Sequence, residues 1–144
     1  MDIRPLSPTF SVAPQIEADE LRAVAQLGFK TLIINRPDEE VDADHAQGVI
    51  AKSAKDAGLS VHYLPFFPGH MTQDLVEGFE ETLRSAEEPV LAYCRSGTRS
   101  SHLWAMAQAG AGVEIDAIVE AAGKAGYDHS QLVPLLTAYA KKET

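Results

Sequence analysis

Cysteine is almost absent: a single one, Cys94, stands among 144 residues. An internal disulfide is therefore excluded, and the lone thiol is expected to stay reduced and available for chemistry. Long apolar runs are missing too, with no stretch approaching the roughly 20 residues needed to cross a bilayer. The opening segment Met1-Asp2-Ile3-Arg4-Pro5 lacks the apolar core of a signal peptide, so a cytoplasmic location is expected. Basic residues are scarce as well. Twelve Lys and Arg against 21 Asp and Glu leave a formal charge of −9, which speaks against nucleic acid and acidic membranes as partners. The five histidines, at 45, 62, 70, 102 and 129, form no ligand spacing with one another or with Cys94, so neither a metal site nor another cofactor is expected.

What is present reads as one soluble domain spanning 1–144, large enough to bury about two thirds of the surface of its unfolded chain. No repeat, low-complexity tract or linker divides it. Strands are predicted at Thr9–Val12, Phe29–Ile34, Leu59–Phe66 and Val90–Tyr93, with Pro65 and Pro68 breaking the third. Helices are predicted over Glu17–Leu27 before Gly28, Asp44–Ala57 before Gly58, Thr72–Ser85 and Ser100–Ala107 ending at Gly110. Glu114–Ala122 and Ser130–Ala140 close the chain, with Pro134 disturbing the start of the last helix. This alternation implies an α/β fold with a mostly parallel sheet flanked by helices. Ligands on such sheets sit beyond the carboxyl ends of the strands, where the loops after Ile34, Phe66 and Tyr93 open together. Arg36 and His70 are thereby placed as accessory neighbours of Cys94.

The chemistry centres on Cys94-Arg95-Ser96-Gly97-Thr98-Arg99-Ser100, set between a buried strand and a helix. Backbone N–H groups converge in such a loop at the positive end of the helix, an arrangement that favours an anion or a thiolate. Arg95 and Arg99 add positive charge, so Cys94 is expected to ionise below the roughly 8.5 of a free thiol and to act as a nucleophile. Arg99 is the candidate anion-holding arginine, since a guanidinium can make paired bonds to two oxygens. Ser96, Gly97 and Thr98 offer backbone amides, and Gly97 permits the positive φ of a tight loop. Ser100 is placed either to hydrogen-bond the sulfur or to cap the helix. His102, in the first turn after the loop, reads first as a packed or surface histidine and second as a group that lowers the thiol pKa. Trp104 and Met106 read as core, and Asp38-Glu39-Glu40 as a solvated turn.

This loop resembles that of rhodanese-type sulfurtransferases, in which four residues separate the cysteine from an arginine or threonine; the tyrosine-phosphatase loop has five. The wider pattern is FKTLIINRPD from Phe29 to Asp38, Pro65-Phe66-Phe67-Pro68-Gly69, LAYCRSGTRS and Leu103-Trp104-Ala105. Over roughly residues 8 to 110 it looks like the bacterial beta-lactamase-hydrolase-like phosphatase-like domain family. That resemblance implies a fold similar to dual-specificity and tyrosine phosphatases. It also implies two described activities, sulfur transfer and phosphatase-like hydrolysis, and a persulfide dioxygenase domain as a partner.

Elementary chemistry weighs the two. A phosphatase expelling an alkoxide or phenoxide needs a placed acid, and the pattern expects one just after the strand ending near Phe66. Phe66, Phe67 and Pro68 stand there instead, leaving His70 or Asp74 as substitutes. Thiosulfate makes no such demand, because sulfite leaves as a stable anion. Read alone, then, the sequence favours a rhodanese-like sulfur transferase. Cys94 would accept sulfane sulfur from thiosulfate or glutathione persulfide and pass it to a thiol acceptor in a ping-pong cycle. The alternative is a phosphatase working through a cysteinyl-phosphate, and a third reading is a non-catalytic oxyanion or persulfide sensor.

Overall fold

The computed structural model describes residues 1–143, with side chains described through residue 141. Its sheet holds β1 (Arg4–Ser7), β2 (Phe10–Ala13), β3 (Thr31–Ile34), β4 (Ser60–Tyr63) and β5 (Val90–Tyr93). Their spatial order is β1-β2-β5-β3-β4, and only the β1–β2 pairing is antiparallel. The helices are α1 (Leu21–Gln26), α2 (Gln47–Asp56), α3 (Gln73–Ser85), α4 (Thr98–Gly110), α5 (Ile115–Lys124) and α6 (Val133–Glu143). The expected α/β fold is present.

Strand alternation divides the core in two. Along β5, Val90 and Ala92 join the apolar cluster beneath α3, α4, α5 and α6, whereas Leu91 and Tyr93 join the one beneath α1 and α2. Leu32, Ile33 and Ile34 on β3 are all fully buried. Each such side chain contributes roughly 1.5–3 kcal/mol of burial free energy. With both faces covered, the central strands read as continuous apolar runs. α4 is the innermost helix: Leu103 to Ala107 are all buried, Trp104 and Met106 among them as expected.

Several predicted boundaries move. β1 lies inside what the sequence presents as an irregular leader, and its Pro5 is tolerated because the strand is an edge with an interrupted register between Pro5 and Ser7. The helix expected over Glu17–Leu27 starts as a 3-10 turn, Ala18–Glu20, closed by reciprocal capping between Glu17 and Glu20. A 3-10 turn, Ala43–His45, likewise precedes α2, with the Asp42 carboxylate accepting from the His45 N–H. The strand expected through Phe66 stops at Tyr63, although the Leu64 and Phe66 N–H groups still bond the carbonyls of Ile34 and Asn35 at 2.9 and 2.8 Å. Thr72 does cap α3, its hydroxyl oxygen accepting from the Leu75 N–H at 3.1 Å. A 3-10 turn, Ser130–Leu132, leads into α6, where Pro134 occupies the first turn that needs no N–H donor.

Candidate active site

Tyr93 pairs with Ala13 of β2 on one side and Ile34 of β3 on the other, so three parallel strands end level at the edge where Cys94 begins its loop. Cys94 is fully buried, and its N–H donates to the Ala13 carbonyl at 3.3 Å. The chain then turns through Gly97, at φ +89°, directly into α4. The Gly97 N–H donates to the Cys94 sulfur at 3.1 Å, so one loop amide is aimed at the thiol.

Arg99, in the first turn of α4, forms a paired ion bridge with Glu40. Nη1 donates to Oε2 at 2.8 Å and Nη2 to Oε1 at 2.7 Å. Nη1 also donates to the Phe66 carbonyl. Burial works against the charge on this guanidinium, but Glu40 and the Cys94 sulfur outweigh it and hold Arg99 protonated even more firmly than usual. Hydrogen bonding from Arg99 in turn holds the Glu40 carboxyl below the ordinary range, with Arg36 adding to the effect. Arg36 reaches Glu40 at 3.5 Å and donates to the Gln15 side chain at 3.1 Å. Four segments thus meet in one network: those after β2, β3 and β4, and the start of α4.

The remaining expectations divide. Arg36 is in the network, and Arg99 lies beside the thiol. Arg95 and Ser96 are exposed, with the Ser96 hydroxyl donating to the Thr98 hydroxyl at 3.0 Å. Ser100 does neither of the two things expected of it. Gly97 holds the cap position, and the Ser100 hydroxyl donates to the Asn35 side-chain oxygen at 2.8 Å. Asn35 in turn donates to the Leu64 carbonyl at 2.8 Å, tying α4 to the ends of β3 and β4. His102 does not assist the thiol: burial lowers its pKa to about 4, so it is neutral at pH 7, and its ring packs edge-on against His129 at 4.9 Å. His70 is exposed on the segment leading into α3, and Asp74 is exposed in the first turn of α3 itself.

Two participants are missed from sequence. Glu40 reads there as part of a solvated turn, although its spacing of four from Arg36 is a usable signal once a 3-10 turn, Asp38–Glu40, is assumed. Tyr127, from the turn after α5, sends its hydroxyl to the Ser96 carbonyl at 3.0 Å, and no local pattern announces it. Among the described residues no cluster of three or more His, Cys, Asp or Glu could hold a metal ion, and no helix is long and apolar enough to cross a membrane.

Known proteins share this fold. A candidate phosphatase from Neisseria meningitidis has a solved structure that is 34% identical, with a TM-score of 0.84 over 96% of this chain and 99% of that one. The phosphatase Tk-PTP in its active form, 16% identical, matches at a TM-score of 0.72 over 99% of this chain and 98% of its own, a likeness of fold. The fold is therefore that of the protein-tyrosine and dual-specificity phosphatases. The Beta-lactamase hydrolase-like protein of Xylella fastidiosa (strain Temecula1) is 28% identical over 141 residues. That alignment takes in 97% of this chain and 33% of the relative, so the chain spans about a third of the length of the curated relatives it matches first. The family model for the phosphatase-like domain of beta-lactamase hydrolase-like proteins matches residues 2–111. With that match covering the sheet and the whole Cys94 loop, the chain belongs to the beta-lactamase hydrolase-like protein, phosphatase-like domain family.

Proposed function

We propose that this chain is a cysteine-dependent phosphoric ester hydrolase. The Cys94 thiolate attacks phosphorus, the ester oxygen leaves with the P–O bonding pair and takes up a proton from water, and a second water then hydrolyses the cysteinyl-phosphate to phosphate and the free thiolate. The observation that carries the reading is the pairing of one loop amide on the sulfur with a guanidinium of the same loop beside it, in a fold shared with phosphatases. Arg99 and the loop amides supply fixed positive charge where the transferring group becomes most negative. This reverses the order of preference drawn from the sequence, because the similar proteins with phosphatase names favour hydrolysis over sulfur transfer.

Sulfur transfer stands as a second reading on one specific observation. Glu40, the carboxylate bonded to the loop arginine, is held ionised and cannot donate a proton near neutrality. Chemistry whose leaving group needs no proton suits such a site. The sulfur of Cys94 would attack the outer sulfur of thiosulfate, sulfite would leave with the bonding pair, and a thiol acceptor would take the sulfur from the resulting persulfide. The persulfide dioxygenase partner implied by the resemblance belongs with this reading.

The two are separated by incubating the protein and its Cys94→Ser variant with an aryl phosphate and, separately, with thiosulfate, following product release and intact mass. The proposal expects steady phosphate release that the serine variant loses. A single added sulfur on wild type, without phosphate release, would replace it with the second reading. Neither product would discard both.

A further inference from the structure

Behind the Cys94 loop lies a part of the molecule that the family match does not reach, residues 112 onward. α5 ends in a turn in which the Gly126 N–H bonds the Gly123 carbonyl at 3.0 Å and the Tyr127 N–H bonds the Ala122 carbonyl at 2.9 Å. This fixes the backbone of Tyr127, and its ring is clamped from more than one side. Arg4 lies over it at 5.3 Å, anchored by Asp2 at 2.9 Å and by the Ala125 carbonyl at 3.2 Å. His129 stacks on the ring at 6.3 Å and 28°. Tyr127 is 6% exposed, and its hydroxyl donates to the Ser96 carbonyl.

The Ser96 carbonyl and the Gly97 N–H are two ends of one peptide unit, which is trans, as the single cis peptide among the described residues is Glu88-Pro89. In a trans unit the two groups point in opposite directions, so fixing one fixes the other. Here one end accepts from Tyr127 and the other donates to the Cys94 sulfur. Nothing in the backbone alone enforces that orientation, because glycine at 97 tolerates φ of either sign and lets the unit rotate at little cost. Rotated over, it would present a carbonyl oxygen to the sulfur and repel a thiolate. Gly97 is also the residue that admits the tyrosine, since a Cβ there would lie 2.2 Å from the Tyr127 hydroxyl oxygen.

We propose that Tyr127 is a positioning residue: its hydroxyl locks the Ser96–Gly97 peptide so that the Gly97 N–H stays aimed at the Cys94 sulfur. The inference rests on the reading of Cys94 as nucleophile. It concerns how the thiolate is held, whichever substrate it attacks.

Tyr127→Phe keeps the ring and its packing while removing the lock, and Arg4→Met loosens the ring while keeping the hydroxyl. Thiolate ultraviolet absorbance is followed against pH in each protein, with the matching Cys94→Ser variant subtracted. The titration midpoint should move upward by about one pH unit in Tyr127→Phe, the size of a lost hydrogen bond to a charged group, and by less in Arg4→Met. The acid limb of kcat/KM should move with it while KM changes little. A midpoint unchanged in Tyr127→Phe overturns the proposal. If wild type itself shows no titration beyond its Cys94→Ser control, it is the nucleophile reading that fails.

Discussion

The Cys94 loop is gripped from two sides by unlike means. In front, Arg99, Glu40, Arg36 and Gln15 form a latch of charged and polar groups drawn from three rim loops. Behind, Tyr127, His129 and His102 form an aromatic block, uncharged at neutral pH, with the Arg4 guanidinium laid against it. A carboxylate and an incoming oxyanion compete for the same guanidinium, so the front can rearrange around a substrate. Packed rings have no such alternative partner. The front is the adjustable jaw and the back the fixed one, which is why a substrate-binding role is proposed for Arg99 and a positioning role for Tyr127.

The hardest blow to the rear is Gly97→Ala. The new methyl would need the backbone at φ +89° and the space of the Tyr127 hydroxyl, a combined cost of about 3 kcal/mol read by chemical denaturation. Adding Tyr127→Phe should restore part of that loss, because the collision is relieved while the backbone strain persists. Additive losses in the double variant would mean that the two residues do not meet. The front should be weaker. Glu40→Gln removes a bridge whose side chains are 22% and 14% exposed, and about 2 kcal/mol is expected, between the ranges for surface and buried pairs.

Acid sharpens the contrast, because the two jaws loosen in different windows. The Glu40 contribution is complete above its ordinary value of 4.5 and is lost as pH falls through its lower folded value. Wild type and Glu40→Gln should therefore converge in stability below that point. His102 is partly buried and His129 fully so, and both are held neutral. Unfolding lets them bind protons from about the ordinary 6.5 downward, so stability is full above 6.5 and declines toward the folded value of about 4 for His102. The smallest effect expected is a flatter decline between pH 6.5 and 4 in His102→Gln, measured by urea melts. A slope equal to wild type would show that His102 does not titrate with unfolding.

This asymmetry also marks what can be read from residues alone. Alternating apolar runs and glycine stops reveal the parallel sheet, because local periodicity reports which face is covered. The loop announces its thiol and arginines for the same reason, since they are neighbours in sequence. Glu40 and Tyr127 meet the loop across 59 and 31 residues, and such pairings depend on how helices pack afterward. β1 hides because Pro5 and Pro8 look like breakers, and only a sheet edge can accommodate Pro5. Ser100 misleads because its hydroxyl has a partner, Asn35, brought close only by the finished sheet.

The strand that ends at Cys94 is the middle one of five, bonded along both flanks. Local opening begins at margins and spreads inward, so Tyr93 belongs to the last backbone to come apart. Partial melting that already frees β1 or β4 would leave the foundation of Cys94 standing. The rim loops can thus move without displacing the sulfur they surround.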